Sequence, residues 1–411
     1  MITYNEALVQ VLQQASPLGI VEKPLDSLLG SVLAESVRAP FPMPQFDNSA
    51  VDGFGVLAGD LLDVGAQSPK RLKLIGEIQA GSEQEFRLEA GCAIKILTGA
   101  MVPPSVEAVV MREYCREVED LVHVEYSPKM GENIRRQGEE FLAGAAVLNS
   151  GVKVTPPVVG LLASLGYATF NVFAKPRLAL ITTGDELVEP GKPLNPGQIY
   201  NSNAYALRAA LKAFGIEEIS SFHARDSAEI TRSAFACAMA QADVIISTGG
   251  VSVGDYDYVK DVLESLGVRT IFWKIAIKPG KPVYFGVRDC EDGPAKLIFG
   301  LPGNPISALV TYHQFVKPAL LRQAGLITPV WHRQTARLSR SLKKKPGRLD
   351  FVRAVAAWSE TGQLQVVPTT GQDSHMLSGL AKANSLIHFD SNLSTVDADE
   401  EVPLEWLSWS D

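Results

Sequence analysis

Two carboxylates stand where a chain would ordinarily cradle an anion. Asp255 and Asp257 lie in the glycine-rich bend STGGVSVGDYD (247–257), which follows a run of β-favouring residues and opens into an amphipathic segment. Gly249, Gly250 and Gly254 let backbone N–H groups approach a phosphate closely, yet phosphate and acids repel one another. An interposed divalent cation resolves the conflict, because Mg2+ takes oxygen ligands and bridges phosphate oxygens. Asp226 at the end of SSFHARD and Glu186 in TTGDEL are further donors for such an ion, so Asp226, Asp257 and Glu186 form the expected metal set. Asp226 and Asp255 each precede a helical pattern and serve equally well as helix caps, so both readings stand for them. Asp257 and Glu186 have less of a structural explanation.

A second anion-binding element is the loop GLPGNPIS (300–307), where Gly303 permits close backbone approach. The segment FWKIAIKPGKP brings Lys274, Lys278 and Lys281 around a strand end, and strand alternation would put Lys274 and Lys278 on one side. Lysines are ordinarily solvated surface residues. Here, however, 38 Lys+Arg stand against 46 Asp+Glu, a net charge of -8, so no global field draws in a phosphate backbone or an anionic membrane. An anionic ligand must be gathered by a local cluster, and these lysines are its best source. Nucleic acid and membrane are not expected partners.

Elements must bring these loops together. From 177 onward, strand-like LALITT, EEISSFHA, DVIIST, RTIFWKIAI, PVYFGV and KLIFGL alternate with helix-like NSNAYALRAALKAFG, SAEITRSAFACAMAQA, DYVKDVLESLG and PISALVTYHQFVKPALLRQAG. Such alternation predicts parallel βαβ units in a doubly wound sheet, with ligands beyond the carboxyl ends of the strands. The loops 182–187, 247–257 and 300–307 should meet at that edge. Residues 45–146 read as short β-rich pieces between Gly and Pro turns, hence a separate inserted domain. The tail 327–411 reads as a small β-barrel or sandwich. Residues 1–19 hold one amphipathic helix, and 20–44 with 147–176 flank the insertion and could pair. Between Thr155 and Ala174 a charge-free run interrupted by Gly and Pro is expected to give a short buried helix and the strand YATFNVF rather than a membrane span. The expected fold is thus a central doubly wound parallel α/β domain at 177–326 with an inserted β-rich domain and a C-terminal β-barrel-like domain.

Cys92, Cys115, Cys237 and Cys290 are far apart and lack metal-ligand spacing, as expected of free thiols in a reducing compartment. The first residues lack a signal-peptide core, so the protein is expected to be cytoplasmic. The six histidines are scattered, and none is assigned to catalysis.

In order along the chain, FPMPQFDNSAVDGFGV (41–56), ILTGAMVP (96–103), GENIRRQGEE (131–140), TTGDEL, STGGVSVGDYDY, IKPGKP and GLPGNPIS resemble the molybdopterin molybdenumtransferase (MoeA) family, shared with the C-terminal domain of gephyrin. The resemblance implies a transferase of molybdenum cofactor biosynthesis that takes adenylylated molybdopterin and molybdate, inserts molybdenum at the dithiolene and releases AMP with Mg2+. It implies a homodimer whose cleft joins the β-rich domain of one subunit to the α/β and C-terminal domains of the other, and contact with the adenylyltransferase that supplies substrate. Matched by motif, Asp52, Thr98 and Arg135 would line the cleft from one side. Glu186, Asp226, Asp257, Lys274, Lys278, Pro302, Pro305 and Ser374 would line it from the other, with Asp52 and the Glu186, Asp226, Asp257, Lys274 and Lys278 set as the catalytic group. Thr183, Gly184, Gly249, Gly250, Ser252, Gly254, Lys281, Gly303 and Asn304, in the same loops, complete the substrate-binding set. The chain departs from the family pattern at Gln137 and Glu140 after the arginines and at Asp373 before Ser374. Two other readings of these residues are a molybdopterin adenylyltransferase, whose α/β domain carries a similar TGG-S-G bend, and a non-catalytic scaffold of the same fold.

Overall fold

The computed structural model describes every residue except 83, 217, 226, 251–258, 327–332, 408, 410 and 411. The chain forms two compact units. One comprises Met1–Ala34, Gly151–Pro156 and Thr169–Asp411, and the other Glu35–Ser150 and Pro157–Ala168.

The first unit contains a six-stranded sheet in the order Ile219–Ala224, Leu178–Thr183, Val244–Thr248, Lys296–Leu301, Tyr284–Arg288, Arg269–Trp273. The first four strands run parallel. Their centres read LALIT, VIIST and LIFGL, apolar on both faces, because helices cover the sheet from both sides. On one face Leu178, Leu180, Ile246 and Phe299 pack with Leu207, Leu211 and Phe315. On the other, Ile181 and Ile245 pack with Phe235, Met239 and Leu263. The helix Tyr4–Gln14, started by a Thr3–Glu6 capping box, buries Ala7 and Val11.

The sheet departs from the expected parallel pattern at one edge, where Tyr284–Arg288 is antiparallel to both neighbours. The reason is loop length. A parallel return needs a crossover of a dozen or more residues, and only the segments 274–283 and 289–295 join these three strands. RTIFWKIAI is also not one strand: Arg269–Trp273 stays in this sheet, whereas Ile277–Lys278 pairs with Leu349–Asp350 of the C-terminal region. The helical segment after Pro305 contains a wide turn at Tyr312–Val316 between the helices Pro305–Thr311 and Lys317–Gln323.

The C-terminal strands close into a barrel: Leu349–Trp358, Leu364–Pro368, Gln334–Leu338, Glu401–Trp406 and Ser385–Phe389, which returns to Leu349–Trp358. Alternate residues such as Leu338, Val352, Ala354, Val366, Ile387 and Leu404 fill the interior.

The second unit is built on a six-stranded sheet, Ala108–Met111, Gly53–Val56, Cys92–Ile96, Lys70–Ile78, Leu121–Val124, Cys115–Val118. Gly53 is required there, since a Cβ at that position would lie 2.1 Å from the Val110 carbonyl oxygen. The segments flanking the insertion pair: Ile20–Pro24 with Thr169–Phe173, and Val37–Arg38 with Ala146–Leu148. The helix Pro156–Ser164 is short but not buried as expected, and only Leu162 of it is fully enclosed. Apolar composition does not bring burial here, because Pro156, Pro157, Gly160 and Ala163 present little side chain to bury and lie at the surface.

Candidate functional site

At the carboxyl edge of the α/β sheet, three strand ends lead into loops that converge as strand direction requires. Thr183 ends one strand, and its hydroxyl donates to the Thr248 carbonyl at the end of the next, at 3.2 Å. Gly249 N–H donates to the Leu301 carbonyl at 3.2 Å, tying in the third. Gly249 has φ 85 and Gly250 φ 65, a left-handed pair that favours glycine. Crowding adds a second reason, since a Cβ on Gly249 would lie 2.5 Å from Thr183 Oγ1. A Cβ on Gly303 would come 3.8 Å from the Gly249 Cα, so the two loops are in contact. Asn203 Nδ2 donates to the Gly303 carbonyl at 2.7 Å. Gly184, φ 129, leaves its missing side chain's space to the Glu186 carboxylate, whose Oε2 would be 2.2 Å from a Cβ there. Glu186 is exposed. Asp226, Ser252, Gly254, Asp255 and Asp257 lie outside the described residues, and among the described residues no group of three or more His, Cys, Asp or Glu side chains converges to hold a metal.

Beside this edge is a cavity of about 300 Å³ that gathers Lys278, Lys281, Pro302, Asn304 and Ser374. One wall is the turn Lys278–Pro282 and the start of the helix Pro305–Thr311. Gly280, φ 100, lets the turn press on that helix, because a Cβ there would lie 2.3 Å from Thr311 Cγ2. Arg348, Gln372, Asp373 and Ser374 of the C-terminal region form the other wall. Asn304 Nδ2 donates to Ser374 Oγ at 3.0 Å across the gap. The loop carrying Ser374 is held from below by buried Arg353, whose Nη2 donates to the Gly371 carbonyl at 2.7 Å and whose carbonyl accepts from Gln372 Nε2 at 2.8 Å. Pro305 occupies the first turn of its helix, where its missing N–H costs nothing.

Lys274 does not line this cavity. It sits at φ 75 just past the strand, and its ammonium lies 4.5 Å from the centre of the Trp273 ring. The expected alternation with Lys278 therefore fails, because the left-handed residue breaks the strand between them. Two further cations enter the picture. Arg348 lines the cavity directly; its sequence signal is the basic run KKKPGR, which lies in the tail expected only to form a small β-barrel or sandwich. Lys344 stands behind Lys278, with Asp350 between them: the Asp350 carboxylate oxygens lie 3.7 Å from Lys344 Nζ and 3.8 Å from Lys278 Nζ. Burial pushes the Asp350 carboxyl above its usual range, against the pull of Lys344, Lys278 and Arg348.

In the other unit, Asp52 Oδ1 accepts from the Thr98 hydroxyl at 2.6 Å and from the Thr98 N–H at 2.8 Å. These bonds, the hydroxyl's first, hold the exposed Asp52 carboxyl below the usual carboxylate range, with a contribution from the Arg112 charge. Asp52 and Thr98 share a shallow recess of about 610 Å³ with Met111, Arg112 and Glu113. Arg112 was not foreseen; it follows the strand Ala108–Met111, and its N–H donates to the Asp52 carbonyl at 3.0 Å. Arg135 is exposed on a two-residue strand opposite Asn48 and does not line the recess. Its neighbour Arg136 bonds Asp47 at 2.6 Å, fixing the FDNS turn to the NIRR segment.

Comparison with known proteins spans the whole chain. The family model for the MoeA N-terminal region (domain I and II) matches residues 2–166, that for a probable molybdopterin binding domain matches 179–322, and that for the MoeA C-terminal region (domain IV) matches 335–407. The molybdopterin molybdenumtransferase of Haemophilus influenzae is 38% identical over 410 residues, 98% of each chain. Molybdopterin molybdenumtransferase 2 of Mycobacterium tuberculosis is 35% identical over 97% of each. Among solved structures, a molybdopterin biosynthesis MoeA protein of Pyrococcus horikoshii superposes with a TM-score of 0.84 at 27% identity, covering 99% of this chain and 100% of that one.

Proposed function

The chain belongs to the molybdopterin molybdenumtransferase (MoeA) family, a family of transferases, and on that premise we propose that it inserts molybdenum from molybdate into adenylylated molybdopterin and releases AMP. The observation that carries this reading is the cavity of about 300 Å³ lined by Lys278, Lys281 and Arg348 in a chain of net charge -8. Its charge suits a tetrahedral oxyanion, for which it has ample room, and Asn304 and Ser374 add neutral hydrogen-bonding groups. The adjoining loops with Thr183, Gly184, Gly249, Gly250 and Gly303 offer close backbone approach to the phosphoryl groups of the nucleotide. Cleavage of the phosphoanhydride places charge on phosphoryl oxygens, and lysine ammonium groups stabilise it where it develops.

Magnesium belongs to this reading: Asp226, Asp257 and Glu186 would hold it, and it would supply positive charge to those oxygens; of the three, only Glu186 lies among the described residues. Lys274, packed on Trp273, contributes positive charge outside the cavity wall. Asp52, kept ionised by Thr98, orients a water, and Thr98 and Arg135 contact the substrate. The reading includes a homodimer, receipt of substrate from an adenylyltransferase, and a cytoplasmic setting. It is consistent with the finding that, among the described residues, no helix is long and apolar enough to cross a membrane. It also includes a functional division of the chain into 1–19, 20–44 with 147–176, 45–146, 177–326 and 327–411.

The test is molybdate-dependent AMP release from preadenylylated molybdopterin. Wild-type protein should release AMP, chelation of divalent ions should stop it, and Lys278→Gln should reduce it at least ~100-fold, in line with loss of an electrostatic stabiliser. Formation of adenylylated product from molybdopterin and MgATP would instead favour the adenylyltransferase reading, against which the matched N- and C-terminal regions already weigh. Absence of both activities would favour the scaffold.

A further inference from the structure

The ion row behind the cavity has no place in the proposed chemistry, and its geometry is specific. The short strand Ile277–Lys278 pairs in parallel with the start of Leu349–Trp358, in a register that sets Lys278 opposite Asp350. Asp350 is 8% exposed, and the Lys344 side chain beside it is 5% exposed. The Lys344 ammonium is already fixed, since it donates to the carbonyls of Arg348 and, at 3.0 Å, Phe389. Lys278 is different: it is half exposed at the cavity wall, and its ammonium stands 3.8 Å from Asp350 Oδ2. That distance is an ion pair beyond hydrogen-bond reach, so it leaves the N–H donors of Lys278 to a ligand.

We propose that Asp350 is the counter-charge of the oxyanion pocket, a positioning residue that limits how tightly Lys278, Lys281 and Arg348 hold a divalent oxyanion. The inference rests on the oxyanion reading of the cavity and extends it. Among the described residues, three cations of the cavity lining face one lining carboxylate, Asp373. Without Asp350, the buried charge of Lys344 would add to theirs from behind the wall. A dianion would then sit in a deep well before any reaction, and binding that is equally strong in ground and transition states does nothing for the chemical step. With Asp350 present, Lys344 is balanced within the barrel, and the pocket presents only its own lining charge. Asp390 also faces Lys344, and Arg348 faces Asp350, so the row is anchored on the barrel side by groups of both signs.

The experiment is calorimetric titration of the full chain with molybdate, tungstate and sulfate at low salt. Asp350→Asn should bind all three about tenfold more tightly than wild type, a modest change for a nearby charge because solvent reaches the cavity. Its steady-state KM for molybdate should fall by a similar factor while kcat stays within about twofold of wild type, as equal tightening of ground and transition states requires. Asp350→Glu, which keeps the charge, and the double variant Lys344→Gln/Asp350→Asn, which removes both charges, should each return to within about twofold of wild type. Asp350→Asn binding no tighter than wild type, or a double variant as tight as Asp350→Asn, overturns the proposal. A lowered melting temperature with unchanged affinities would do the same, marking Asp350 as purely structural. Wild type that binds none of the three anions would remove the oxyanion reading as well, whereas wild type that binds while Asp350→Asn matches it removes this inference alone.

Discussion

Asp52 and Thr98 show what a single pair of side chains can settle. The aspartate sits in a D-N-S-A-x-D-G turn, a setting that equally suits a turn-former, but its carboxylate is engaged by both the hydroxyl and the N–H of Thr98. Those bonds favour the ionised form and depress the pKa. Removing the hydroxyl bond with Thr98→Val should let Asp52 take up a proton at higher pH, moving toward the ordinary value of ~3.9. The acid limb of the pH profile of AMP release should then shift upward while the alkaline limb stays. An unmoved acid limb would show that Asp52 does not govern activity. At this scale the residue types were legible and their partners were not. IKPGKP announced Lys278, but nothing in one sequence announces that Asp350 and Lys344 stand behind it, because that pairing depends on a strand leaving one sheet for another. Lys274 was misplaced for a related reason, since alternation holds only while the backbone stays extended and Lys274 is left-handed.

Elements are legible in the sequence where periodicity and burial agree. The apolar strands and amphipathic helices of the α/β sheet follow directly from the alternation in 177–326, as does the convergence of their loops. Loop length, not strand composition, set the antiparallel edge. The wide turn at Tyr312–Val316 had no sequence signal, yet it places the consecutive residues His313 and Gln314 on one carboxylate. Glu405 accepts from His313 Nε2 at 2.5 Å, from His388 Nε2 at 2.7 Å and from Gln314 Nε2 at 3.1 Å, all buried. Tyr4 of the first helix reaches the same group, donating to Gln314 Oε1 at 2.7 Å. Helix, barrel and N-terminal segment are thereby joined through one acid. Burial alone would raise the Glu405 carboxyl, but the hydrogen bonds from the two histidines outweigh it and bring it down to about 2. A folded-state pKa below the unfolded one contributes stability that is present above about pH 4.5 and is lost as pH falls toward 2. Glu405→Gln should therefore be less stable at neutral pH by roughly 3 kcal/mol and should lose less than wild type between these limits. Thermal unfolding followed across that range would check it, and parallel curves for the two proteins would refute it.

On the scale of the whole molecule, the chain leaves one unit, builds another and returns at nearly the same place. Leu33 N–H donates to the Val152 carbonyl at 2.9 Å, and Gly151 N–H donates to the Leu33 carbonyl at 2.8 Å. Such a junction can be bridged by a turn of ~2–5 residues. Replacing residues 35–150 and 157–168, the two segments of the second unit, each with a short Gly/Ser linker should yield a folded protein that still binds tungstate in its lysine cavity but releases no AMP, as measured by titration and turnover on the same preparation. Loss of tungstate binding would show that the remaining unit cannot shape the pocket alone. The insertion was legible in the sequence as a change of texture from β-rich pieces to regular alternation; the closeness of its two ends was not, because it depends on pairing across the gap. The closed barrel has a consequence of its own. A sheet curled fully on itself offers no rim to a stray strand, and the part of Leu349–Trp358 that lies beyond the reach of Leu364–Pro368 is covered by Ile277–Lys278. The strand Ile277–Lys278, which carries a lysine of the oxyanion cavity, thus also caps a stretch of barrel backbone that would otherwise be open to pairing with a second molecule.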